Sequence, residues 1–163
     1  MINDSNYQKA LTFTEKHEGM MSADKYDPGG MTKYGISQKG LGVANDLVDV
    51  TGDQSRMVKV EDLTLEDAFT YYYTYYWVGS GCGSLDLPLS VVVFDASVNC
   101  GVHRSTAWLE QNSDPKWLID TRRLYYLNLI TAKPDLAKFK NGWLNRLNDL
   151  SKYVDILTQE QTG

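Results

Sequence analysis

Proline, histidine and cysteine are scarce in this chain of 163 residues, and long apolar runs are missing altogether. Each shortage closes off a class of protein. Cys82 and Cys100 are the only cysteines; they form no C-x-x-C pair and no disulfide framework, and with His17 and His103 as the only histidines no zinc-ligand spacing exists. Neither a metal nor a cofactor is expected, and whether the two cysteines pair is left open by the spacing. The longest apolar stretch, Val91-Val92-Val93-Phe94, is far too short to cross a bilayer, so membrane insertion is not expected. Positive charge is in deficit: Lys and Arg total 16 against 21 Asp and Glu, a net charge of −5, which argues against a nucleic-acid partner. Lys133, Lys138, Lys140, Arg122, Arg123 and Arg146 are the basic set that a local groove would draw on; charged helix faces are more often solvated surface. The first residues lack a basic flank followed by an apolar core, so no signal peptide is expected.

What remains has an ordinary globular balance, 42% hydrophobic and 23% charged, in a length suited to one domain with a core that needs no staples. Asn3, Asp4 or Ser5 caps a first helix, and Tyr7, Ala10, Leu11, Thr14 and Glu18 recur along it at helical spacing until Gly19 stops it. From there to about residue 43 glycines and the Asp27-Pro28-Gly29-Gly30 turn break any helical period, while Thr32, Tyr34 and Ile36 alternate along a short strand. The mixed, acidic stretch 43–63 carries no assignable pattern. Thr64-Leu65-Glu66-Asp67 is a capping box that opens a helix rich in tyrosine and ending before Gly79. Between Pro88 and Gly101 the chain is apolar nearly all round, which predicts a buried central helix rather than a strand, because the stretch exceeds strand length. Helices follow from His103 to Gln111, along Trp117, Leu118, Thr121, Tyr125 and Leu129, and along Leu136, Phe139, Trp143, Leu147, Leu150, Val154 and Leu157. The expected fold is α+β and mostly α-helical, with a small irregular or β lobe after the first helix.

The chemistry points to Glu18. A carboxylate at the C-terminal end of a helix, on its inward stripe, meets the negative end of the helix dipole and partial burial, and both favour the protonated form of a side chain placed there. Proton donors of that kind serve glycosidic-bond cleavage, with a second carboxylate nearby. Asp27, nine positions on, is the candidate second group, and Thr32, fourteen positions on, would help to position water. The plainer alternative has Glu18 on a surface helix and Asp27 merely opening a turn. Candidate substrate-binding residues are Tyr34, Asn99 and Trp77. Aromatics at helical spacing more often fill a core, and Asp95 with Asn99, four apart, also suits structural hydrogen bonding.

Glu18-Gly19 followed by Asp27-Pro28-Gly29-Gly30-Met31-Thr32-Lys33-Tyr34-Gly35-Ile36 resembles the signature of the glycosyl hydrolase family 108 lysozymes, the N-acetylmuramidases of bacteriophage endolysins and bacterial lysins. The likeness continues through Ala68 to Trp77, through Phe94-Asp95-Ala96-Ser97-Val98-Asn99-Cys100-Gly101, and through Arg122 to Arg146, which resembles a C-terminal part described as peptidoglycan-binding. Met20 and Met21 depart from it, standing where Gly and Tyr are common. The resemblance implies a single lysozyme-like domain over 1–163, with a catalytic part to about residue 110 and a helical part over about 115–160. It implies hydrolysis of the β-1,4 bond between N-acetylmuramic acid and N-acetylglucosamine, with Glu18 as the catalytic acid. The roles of Asp27 and Thr32 rest on a looser likeness to phage lysozymes. Bacterial peptidoglycan is the expected partner, of a monomer held in the host bacterial cytoplasm until its release to the periplasm or wall. A lytic transglycosylase, a non-catalytic wall-binding protein, and the same muramidase used as a secretion-system toxin or tail lysin are the alternatives.

Overall fold

The computed structural model describes residues 2–19, 25–27, 30–37 and 47–163, and the backbone alone at 25–27, 30 and 31. Met20 and Met21, the Pro28-Gly29 part of the turn, and positions 38–46 lie outside the described residues. The chain forms two compact units, Met1–Gly79 and Ser80–Gly163. The fold is α+β and mostly helical, with short antiparallel strands following the first helix.

The first unit begins with α1, Ser5–Glu18. Of its three candidate caps Asp4 does the work: its carboxylate accepts from the Tyr7 N–H at 3.0 Å and also from the Trp77 indole N–H at 3.1 Å. One side chain thus satisfies an orphan helix donor and fixes the helix end to the unit's largest buried ring. Three strands follow, β1 Lys25–Asp27, β2 Gly30–Lys33 and β3 Ile36–Ser37, in an antiparallel sheet of order β1-β2-β3. In the stretch without a sequence pattern, β4 Leu47–Asp49 and β5 Met57–Lys59 pair as a two-stranded ribbon, Val48 opposite Val58. Val48, Val50, Val60 and Leu63 carry this ribbon into the core. Helix α2, Leu65–Tyr72, opens with the expected capping box between Thr64 and Asp67, then widens into a π-helical turn, Tyr73–Val78. The π spacing of five residues lets Tyr72 and Trp77 both face inward. Tyr7 packs edge-on to Tyr73 at 5.0 Å and donates its hydroxyl to the Phe69 carbonyl at 2.6 Å.

The second unit is helical: α3 Leu89–Cys100, α4 Val102–Gln111, α5 Pro115–Ala132 and α6 Lys140–Thr162. As expected, α3 is the central helix, buried continuously from Ser90 to Ser97. Ser97 and Ser105 both donate to the Val93 carbonyl, at 2.8 and 3.0 Å, so small hydroxyl side chains join α4 closely to α3. The cysteines do not pair; burial pushes the Cys82 thiol up to about 12.

At the centre stands Asp95, fully buried, with Arg122 of α5 donating to it at 2.7 Å and Arg146 of α6 at 2.8 Å. This corrects the reading of the basic set: Arg122 and Arg146 belong to neither a groove nor a solvated face, since both are buried and donate to one acid inside α3. It also corrects the stripe of α5, whose buried positions are Leu118, Ile119, Arg122 and Tyr126. Burial pushes the Asp95 carboxyl up, but the Arg146 and Arg122 charges outweigh it and hold it below the ordinary carboxylate range.

Asp95→Ala, which strands two buried guanidinium groups, is expected to cost about 3–5 kcal/mol of stability, read by urea unfolding of the full chain. A second outcome concerns Asp67, hydrogen-bonded to Arg56 at 2.5 and 2.8 Å. That bond, with the Thr64 N–H and against the push of burial, holds its carboxyl at about 2. Its folded value lies below the unfolded value of about 3.9, so its contribution is complete above about pH 4 and is lost as pH falls toward about 2. In Asp67→Asn that acid-side loss should flatten, measured by melting temperature against pH.

Candidate active site

Gly19, at φ 66°, takes the left-handed conformation that stops α1 directly after Glu18. Glu18 is half-buried there. The phenols of Tyr72 and Tyr76, one helical turn apart, are pushed up first by burial and then by the Glu18 charge. Both therefore keep their protons while facing a carboxylate, which makes them hydrogen-bond donors in a negative field. Tyr72 donates to the Tyr34 carbonyl at 3.1 Å. Tyr34 and Gly35 join β2 to β3 at φ 52° and 78°, the pair of positive values that a tight type I′ connection demands. A Cβ on Gly35 would lie 2.5 Å from the Tyr72 hydroxyl oxygen. Glycine thus meets two demands here, the backbone angle and the close approach.

The helix end, the α2 aromatics and the β2–β3 turn are therefore linked through Glu18, Tyr72 and Tyr34. Thr32, in β2, pairs with Lys25 on one side and Ser37 on the other. Its hydroxyl is buried and has no hydrogen-bond partner among the described residues. Asp27 ends β1 opposite Gly30; its side chain lies outside the described residues. Trp77 is 1% exposed and donates to Asp4, which places it in the core, the alternative given for the helix aromatics. Asn99, in the second unit, is half-buried and accepts from the Tyr126 hydroxyl. Tyr72 and Tyr76 are the residues that sequence reasoning did not assign to the site. Their four-residue spacing placed them on one helix face, but nothing in it said that a carboxylate lies across from that face.

No metal-binding group of three or more His, Cys, Asp or Glu residues occurs among the described residues. What the cluster offers is a half-buried carboxyl beside neutral phenols, one of which holds the turn that follows the strand bearing Thr32. A model of the family described as glycosyl hydrolase 108 matches residues 11–101, more than half of the chain, and the matched stretch contains Glu18, Asp27, Thr32, Tyr34, Trp77 and Asn99. No curated protein and no solved structure matched the chain.

Gly35→Ala is expected to destabilise the protein by about 1–2 kcal/mol from the left-handed backbone alone, with the Tyr72 contact adding to it. Combining it with Tyr72→Phe removes the clashing oxygen, so the double variant should lose less than the sum of the singles. Thermal melts of the four proteins check this.

Proposed function

Because the chain belongs to the glycosyl hydrolase 108 family, and with it to the glycosidases that hydrolyse peptidoglycan, we propose that it cleaves the β-1,4 bond between N-acetylmuramic acid and N-acetylglucosamine with Glu18 as general acid. The observation that carries this reading is the position of Glu18: half-buried at the stop of α1, with Tyr72 and Tyr76 protonated beside it. Glu18 gives its proton to the glycosidic oxygen as the bond to the leaving sugar breaks. Asp27 offsets the positive charge of the oxocarbenium-like transition state or orients water, and the buried Thr32 hydroxyl positions that water. Water then supplies the oxygen of the new reducing end, and its proton returns to a carboxylate. Tyr72, by holding the Tyr34-Gly35 turn, fixes the strand that bears Thr32.

The biological role we assign is lysis of bacteria. The protein acts on the wall as a monomer after leaving the cytoplasm of the cell that makes it.

Glu18→Gln should keep the wild-type melting temperature and clear peptidoglycan suspensions roughly 10²–10⁴-fold more slowly. Mass spectrometry of the products completes the test. Hydrolysis adds one water per cut, whereas anhydro-sugar ends would identify a lytic transglycosylase, and wild-type clearing by Glu18→Gln would remove Glu18 from the mechanism.

A further inference from the structure

Arg122 commits two of its three guanidinium nitrogens. Nη1 donates to Asp95 at 2.7 Å and Nε to the Tyr126 hydroxyl at 2.8 Å. Nη2 is buried and has no hydrogen-bond partner among the described residues, on a side chain that is 1% exposed. A charged donor is among the costliest groups to leave dry in a protein interior. The same residue lines a cavity within the second unit, together with Val92, Ala96, Ser105, Trp108 and Leu150. Its volume is about 10 Å³, the room of one water molecule. Arg122 and Ser105 bring polar groups to walls that are otherwise aliphatic or aromatic.

The chemistry of these two groups defines what fits between them. A guanidinium only donates. The Ser105 hydroxyl spends its single proton on the Val93 carbonyl at 3.0 Å, so toward anything else its oxygen can only accept. An occupant must therefore accept from one side and donate to the other, within the size of a single heavy atom. A monatomic anion cannot donate, and an ammonium ion cannot accept. Water does both. We propose that this cavity is a fixed hydration site: one water accepts from Arg122 Nη2 and donates to Ser105 Oγ, which completes the hydrogen bonds of the guanidinium and ties α4 to the ion pair between α3 and α5. The site lies wholly in the second unit and is independent of the reaction assigned to Glu18.

The test is a high-resolution crystal structure of the full chain, with a second crystal soaked in sodium bromide. A spherical peak at about 2.5–3.2 Å from both Arg122 Nη2 and Ser105 Oγ is expected, unchanged in the bromide crystal. Clear density for the side chains without that peak overturns the proposal. A bromide anomalous signal at the same position also overturns it, because the site would then take an anion. Val92→Ile adds a further reading, since the extra methyl group takes the place of the water. The peak should vanish and the melting temperature should fall by about 2–12 °C, the effect of a buried donor left without a partner. A higher melting temperature in that variant overturns the proposal, because filling a dry void stabilises a core. If Val92→Ile does not fold, the two wild-type crystals decide the question alone.

Discussion

A single carboxylate inside α3, gripped by one arginine from α5 and another from α6, is the constraint on which the second unit depends. A lone buried charge is intolerable, so helices that carry its partners must reach the same point from different directions. That requirement sets the rotation of α5 and α6 about their own axes. Leu118 and Ile119 follow Arg122 inward on α5, and Leu147 and Leu150 follow Arg146 on α6. Around this centre α3 is otherwise apolar or small, which lets α4 approach closely through Ser105. The same ion cluster has a directional consequence farther out, where Arg122 orders Tyr126 and Tyr126 orders Asn99.

The first unit is organised by helix ends and rings instead of charge. Asp4 holds the start of α1 to Trp77, and the far end of α1 delivers Glu18 to Tyr72 and Tyr76. Aromatic contacts run without a break from Tyr7 to Tyr73 and Trp77, and from Tyr71 to Tyr75 and Tyr76. The π-helical turn makes this crowding possible, since the extra residue per turn spreads bulky rings that a regular helix would stack too tightly. These packed rings stand beside the Glu18 carboxyl at the end of α1.

Helix boundaries were readable because they rest on local chemistry: Asp4 and Gly19, the Thr64 box, Pro88 with Gly101, and Asp114-Pro115 all act within a few residues of themselves. The expected face of α5 missed for a physical reason. Hydrophobic periodicity cannot see a buried arginine, so it selects Trp117, Leu118, Thr121, Tyr125 and Leu129, of which Leu118 alone belongs to the buried stripe that contains Arg122. Asp95 invited a partner, yet its partners lie 27 and 51 positions away, beyond any spacing rule. Strands β4 and β5 are three residues each, too short for alternation to register. In the site, Glu18 and Thr32 were visible as residue types at a helix stop and in a strand. Tyr72 and Tyr76 were not, because their role is defined by what lies opposite them.

Of the four tryptophans, Trp77 alone lies in the first unit, and it is buried there in tilted ring contact with Tyr7. Trp108, Trp117 and Trp143 belong to the second. The chain therefore carries an intrinsic optical label: emission from a variant that retains only Trp77 reports on the half that holds the carboxyl, fed by energy transfer from the tyrosines around it.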